Sequence, residues 1–284
     1  MSTPLVSQWK NKIKSKRKEL LAWRDKTFFA FGPQDLENGL KSLGLRHGDV
    51  VFAHSSFDAF RGFRGKPSDV IAALQRVVGE AGIIMMPTLA FSGTALDYAL
   101  SNPVTDLRRA PSRMGLVTEI FRRLPGVVRS AHPTHPIAVW GGDAQAVAAD
   151  HHLAQTPCGA PSPLRQLLDR DGKILLLGVD IAVLTFFHTL EEILEDRLPV
   201  KPFTEQRFEL TVLDGQGAPA ACHTRLYEPA VSRRRRLGKL ADELRRQGLW
   251  HERKVGGLSM VLLLARDVLK ATEALLERGI ACYE

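Results

Sequence analysis

Val50-Val51-Phe52-Ala53-His54-Ser55-Ser56-Phe57 sets the plan of this chain. The apolar half reads as a buried strand, because a short run rich in Val and Phe bounded by small polar residues fits an extended, packed segment. A helical pattern follows over residues 67–78, and a second apolar run, Ile83-Ile84-Met85-Met86, comes directly after it. Strand, crossover helix and strand make a βαβ unit, which lays its two strands parallel.

Working outward, a helix is expected over residues 34–43, and the turn signal Phe31-Gly32-Pro33 precedes it. That turn divides a basic helical extension, residues 1–33, from a single α/β domain over residues 34–284. Downstream, helices are expected near residues 115–123, 144–150 and 183–196, with strands at 137–140 and 173–177. Beyond Pro199 the pattern alternates over 207–213 and 220–226 around Asp214-Gly215-Gln216-Gly217, which is a hairpin signature. A basic helix, a strand over 258–265 and an amphipathic helix over 266–278 complete the chain. The fold class expected is a three-layer αβα arrangement with a mostly parallel central sheet and an antiparallel hairpin addition.

Composition narrows the function classes. With 284 residues, 44% of them hydrophobic, the chain can bury a sizeable core without disulfides or a structural metal. Cys158, Cys222 and Cys282 are odd in number and widely spaced, which predicts free thiols in a reducing cytoplasm. No apolar run approaches the roughly 20 residues of a membrane span, and no apolar signal-peptide core follows the charged start. The balance of 39 Lys+Arg against 31 Asp+Glu gives a net charge of +8. Much of it sits in Lys10, Lys12, Lys14, Lys16, Arg17 and Lys18, and in Arg233 to Arg236 with Lys239, Arg245 and Arg246. These clusters read as amphipathic helices with solvated basic faces, or as a funnel for a polyanion. No nucleic-acid motif accompanies them, so a phosphate-bearing small molecule fits better than nucleic acid.

Four segments carry candidate chemistry. In Thr185-Phe186-Phe187-His188-Thr189-Leu190-Glu191-Glu192, helical spacing puts His188 on one face with Glu191 and Glu192. A carboxylate there fixes the imidazole tautomer and makes it more basic, as a general base requires; a surface ion pair is the bland reading. Placement just past a buried strand is where α/β sheets bind ligands. Arg129-Ser130-Ala131-His132-Pro133-Thr134-His135-Pro136 is a proline-stiffened loop with aimed polar groups. A metal reading of His132, His135, His151, His152 and His188 lacks a ligand-spacing motif. His54-Ser55-Ser56-Phe57, followed by Arg61, Arg64 and Lys66, offers backbone N–H groups and positive charge after a strand. Pro157 to Pro163 reads as a turn into a helix with Ser162 as its N-cap and Pro163 at its first position.

In order along the chain, residues 44–57, Met86-Pro87-Thr88, Met114-Gly115, residues 129–134, residues 159–163, Leu175-Leu176-Leu177-Gly178-Val179 and residues 185–191 resemble the aminoglycoside N3-acetyltransferase family. These are antibiotic N-acetyltransferases unrelated in fold to the GNAT enzymes. The resemblance implies direct transfer of an acetyl group from acetyl-coenzyme A to an amine, with no metal. It implies that His188 is the general base and Glu191 its orienting partner. It implies that Ser55, Ser56, Phe57, Arg129, Ser130, His132, Pro133 and Thr134 line the cofactor site, with an oxyanion hole of backbone N–H groups, and that Arg61, Arg64 and Lys66 meet coenzyme phosphates.

A polycationic acceptor wants an acidic cleft. Asp97, Tyr98 and Glu192 are therefore expected at the acceptor site, with Asp106, Glu195 and Asp196 adding to an acidic mouth. The acceptor stays open between an aminoglycoside, another amino sugar and a biosynthetic amine; a longer acyl group and a homodimer also stay open. The competing class is a polyanion-binding protein that uses the basic helices. The partners expected are coenzyme A and a small-molecule amine, with neither nucleic acid nor membrane.

Overall fold

The computed structural model describes Trp9, Lys16, Arg24, residues 27–102 and residues 104–284. Most of the basic helical extension expected over residues 1–33 lies outside the described residues.

Seven strands form the main sheet in the order β4-β5-β2-β1-β6-β10-β9. They are β1 (Val50–Ser55), β2 (Ile83–Pro87), β4 (Val128–Arg129), β5 (Ile137–Gly141), β6 (Lys173–Leu177), β9 (His251–Val255) and β10 (Leu258–Leu264). The parallel part is the centre: β1 runs parallel to both β2 and β6. Outside that trio, β5 pairs antiparallel with β2 and β10 with β6, and the edge strands β4 and β9 are antiparallel too. The hairpin is present as β7 (Phe203–Leu213) and β8 (Pro219–Tyr227), turned by Asp214, whose Oδ1 accepts from Gln216 N and Ala218 N at 2.9 Å. A short strand that the sequence pattern did not signal, β3 (Val104–Asp106), adds to it in parallel.

The strands at the centre carry no polar face, and the reason is visible in their alternation. Phe52, Ile83, Met85, Ile174 and Leu176 enter one buried core, while Val51, Ala53, Ile84, Met86, Leu175 and Leu177 enter a second. Successive side chains leave a strand on opposite faces, so the sheet is covered on both sides. Helices Pro33–Leu43, Pro67–Val78 and Leu116–Phe121 cover the second core. Helices Ala144–Ala148, Pro163–Asp169, Phe187–Ile193, Gly238–Arg246 and Ala265–Glu277 cover the first. Each fully buried side chain of this kind contributes about 1.5–3 kcal/mol, which makes the strand ends a stiff platform for a site. Among the described residues no helix is long and apolar enough to cross a membrane.

Two expectations need correction. The helix expected over 183–196 is α-helical only over Phe187–Ile193, with single 3-10 turns at Ile181–Val183 and Glu195–Arg197. The late basic helix is two helices, Pro229–Arg234 and Gly238–Arg246, because the chain turns extended at Arg235 (φ −64°, ψ 127°). Ser162 caps its helix as expected, accepting from Arg165 N at 3.2 Å, with Pro163 at the first position.

Candidate active site

The carboxyl ends of β1 and β6 lie side by side, with His54 opposite Leu176 and Ser55 opposite Leu177. The chain leaves β6 through Gly178 and returns over the sheet as helix Phe187–Ile193. Phe186, Phe187 and Leu190 are buried and fix the helix to the core, and Thr189 Oγ1 donates to Cys158 O at 3.0 Å. Thr185 N donates to His54 Nε2 at 3.4 Å, which ties the end of β1 to the helix start. The face left over carries His188, whose side chain is 17% exposed.

His188 Nδ1 lies 2.7 Å from Glu191 Oε2. An ionised carboxylate only accepts, so Nδ1 carries the ring proton and Nε2 keeps its lone pair. Glu191 is fully buried and saturated with donors. Arg235 Nη2 donates to Oε1 at 2.8 Å and to Oε2 at 3.0 Å, Arg235 Nε to Oε1 at 3.0 Å, and Tyr283 Oη to Oε1 at 2.6 Å. The imidazole ring rests on Tyr227 with centroids 4.0 Å apart, and His135 meets it edge-on at 5.8 Å.

This environment sets the charges. Burial holds His188 below its ordinary value, the Arg235 cation lowers it further, and Glu191 opposes both. Glu191 does make the imidazole more basic, as expected of a neighbouring carboxylate, but burial and the Arg235 cation outweigh it and the net shift is downward. Burial alone would raise Glu191, but the hydrogen bond from His188 and the charge of Arg235 bring it below the usual carboxylate range. The result at neutral pH is a neutral imidazole with a free nitrogen beside an ionised, buried ion pair, which suits a proton acceptor.

His188 opens onto a cleft of about 290 Å³ lined also by Leu89, Phe91, Thr94, His135, Tyr227, Arg233 and Arg235. Of the residues expected at the acceptor site, Asp97 is not in the cleft lining; it lies on helix Ala95–Ser101, where its Oδ2 accepts from Oγ1 of the lining residue Thr94 at 2.7 Å. Tyr98 packs on Phe91 with centroids 5.3 Å apart, behind the wall. Glu192 turns away from His188 and accepts from Thr156 Oγ1. Its carboxylate packs against Gly159, whose lack of a side chain leaves it room. The carboxylate bonded to His188 is thus Glu191.

The segment 129–134 forms the buried floor behind the cleft. The Arg129 guanidinium holds loop carbonyls, donating to Leu107 O at 2.9 Å and Ala110 O at 2.7 Å, and to Thr88 Oγ1 at 2.9 Å. Ser130 Oγ bonds His151 Nδ1 at 2.8 Å and accepts from Ile137 N at 2.9 Å. His132 is fully buried, with Nδ1 accepting from His135 N at 3.1 Å and Thr134 N at 3.3 Å. Pro133 and Thr134 are buried with it, and only the neighbouring His135 reaches the cleft lining. His132 Nε2 and Ser55 Oγ are both buried with no hydrogen-bond partner among the described residues. Ser56 and Phe57 begin the 3-10 turn Phe57–Ala59, and Arg61, Arg64 and Lys66 stand exposed beyond it.

Arg235, Tyr283, Tyr227 and His135 complete the His188 environment; Arg235 belongs to a run expected only as a basic face, and neither tyrosine carries a local signal. Gly238, which interrupts the basic run, is the one local signal that the late helix breaks.

Known proteins resemble this chain in both sequence and fold. The sequence model of the family described as aminoglycoside 3-N-acetyltransferase matches residues 52–277. The chain is similar to aminoglycoside N(3)-acetyltransferase VII of Streptomyces paromomycinus, 34% identical over 194 residues, or 64% of this chain and 66% of that protein. It is similar also to the prophage-derived aminoglycoside N(3')-acetyltransferase-like protein YokD of Bacillus subtilis, 32% identical over 183 residues, 59% of this chain and 67% of the relative. The matched chain spans about two thirds of the length of these relatives. Among solved structures, aminoglycoside acetyltransferase AAC(3)-IVa superposes with a TM-score of 0.71 at 26% identity, covering 89% of this chain and 91% of that one. A mutant of that enzyme is also known in complex with apramycin. AAC(3)-Xa superposes with a TM-score of 0.77 at 24% identity over 94% and 99% of the two chains.

Proposed function

The chain belongs to the aminoglycoside 3-N-acetyltransferase family, and from that premise we propose that it moves an acetyl group from acetyl-coenzyme A to an amine of an aminoglycoside or another amino sugar. The observation that carries the proposal is the His188 Nδ1 bond to the buried Glu191, which leaves Nε2 as a free base beside the cleft. The acceptor nitrogen attacks the thioester carbonyl carbon, forming the C–N bond as the C–S bond breaks. Its excess proton passes to His188 Nε2, and the coenzyme leaves as a thiolate that then takes a proton. No acyl-enzyme is needed, and the buried thiols of Cys158, Cys222 and Cys282, all pushed up by burial, are poor nucleophiles.

For the cofactor, the loop from Ser55 to Phe57 is the favoured cradle. Its orphaned Ser55 hydroxyl can meet a thioester or amide oxygen, and Arg61, Arg64 and Lys66 suit the phosphates further out. Arg129, Ser130, His132, Pro133 and Thr134 support the site from below. Asp97, bonded to the lining residue Thr94, is the acidic group favoured to meet a second ammonium of the acceptor.

The test is His188→Ala. Turnover of acetyl-coenzyme A with an aminoglycoside panel falls about 10²- to 10⁴-fold, while calorimetry finds coenzyme A binding unchanged. Turnover within about threefold of the unmodified protein removes the base assignment.

A further inference from the structure

Glu191 is held by two segments that are themselves joined. Residues 234–236 and 282–284 run antiparallel as a two-stranded ribbon bridged at Arg235 and Tyr283. Arg236 N donates to Cys282 O at 2.8 Å, Glu284 N to Arg234 O at 3.0 Å, and Arg236 Nε pairs with Glu284 Oε2 at 3.2 Å. Both bridged residues aim inward at one atom, Glu191 Oε1. Their neighbours Arg234, Arg236 and Glu284 face solvent. Phe187 backs both, with the Arg235 guanidinium 6.0 Å and the Tyr283 ring 6.3 Å from its ring centroid.

We propose that this ribbon is the positioning device of the base, with Tyr283 and Arg235 as positioning residues that act on His188 through Glu191. The inference rests on the reading of His188 as general base. Without the ribbon, Glu191 would be an ionised carboxylate buried with only the imidazole to satisfy it. It would then draw a proton onto His188 or rotate away from it. With the ribbon in place, the carboxylate keeps one orientation and its charge is balanced by Arg235, so the imidazole waits unprotonated. The groups facing His188 from the surrounding elements are Glu191 on its own helix, Arg233 and Arg235 after β8, Tyr227 on β8 and His135 before β5. Among the described residues only Glu191 meets His188 through a direct carboxylate hydrogen bond, so releasing it from the ribbon changes the base most.

The experiment compares pH profiles of kcat for the full chain, with the same acceptor, in Tyr283→Phe, Arg235→Met and Arg235→Lys. Tyr283→Phe loses one hydrogen bond of about 1 kcal/mol, and kcat falls about fivefold. Its acid limb moves to higher pH, since an under-donated carboxylate holds the imidazolium more tightly. Arg235→Met moves the limb further in the same direction, and Arg235→Lys returns it part of the way. If Arg235→Met does not fold, Tyr283→Phe carries the test. Folded Tyr283→Phe protein with an unmoved acid limb overturns the proposal even where His188→Ala is inactive, which separates its failure from failure of the base assignment.

Discussion

Two histidine-rich regions lie within one ring contact of each other, and they have opposite characters. In the floor of the cleft, His132 and His151 stack with centroids 4.7 Å apart and are fully buried, and their hydrogen-bond partners are backbone groups and the hydroxyls of Ser130 and Thr134. At the cleft wall, His188 is partly exposed and its partner is a carboxylate compensated by an arginine. Burial without a charge partner drives His151 down to about 4 and His132 well below its ordinary value, so neither accepts a proton in the working range. A histidine becomes useful as a base when a carboxylate fixes its tautomer and the other nitrogen is left to the cleft. A cluster of histidines in sequence is therefore no guide to which one reacts; the neighbouring charges decide.

The strongest way to break this contrast is to make the wall resemble the floor. Glu191→Gln removes the carboxylate and leaves Arg235 as an uncompensated buried cation. The expected loss is about 10²-fold or more in kcat, with about 3–5 kcal/mol of stability from breaking a buried pair, read by steady-state rates and denaturant melts. A smaller effect comes from the floor. His151→Leu unpairs Pro157 O and removes a partner of Ser130, costs about 1–3 kcal/mol, and leaves kcat within about threefold.

The same floor histidines predict an acid-labile fold. Their native-state affinity for protons is depressed, so the unfolded chain binds more protons once pH drops below the ordinary histidine value of about 6.5. Stability is therefore fully present above that pH. It declines progressively toward the folded value of about 4 for His151, and His54 at the end of β1, lowered by burial to about 3, adds to the loss; in His151→Leu the melting temperature falls less steeply over this window.

The framework was legible because buried strands announce themselves: Val50 to Ala53, Ile83 to Met86 and Ile174 to Leu177 are apolar on both faces and can only lie inside a covered sheet. His188 and Glu191 were legible because three-residue spacing is local. β9, His251-Glu252-Arg253-Lys254-Val255, was not, since an exposed edge strand carries no apolar period. Arg235 was hidden for a different reason. It sits in a run of four identical arginines, and what singles it out is Glu191, 44 residues away, together with Tyr283 across the ribbon. A local pattern cannot distinguish the one buried member of such a run. The basic clusters also lose part of their first meaning, for the late one contributes Arg235 to the interior and not to a polyanion surface.

The most direct test of the account is the protonation state of the His188 ring, read by nitrogen-resolved NMR of the intact chain and assigned by the signal that vanishes in His188→Gln. The account predicts a neutral ring at pH 7 with the proton on Nδ1 and a titration midpoint below about 6.5. A ring that is charged at pH 7, or neutral with its proton on Nε2, would contradict it.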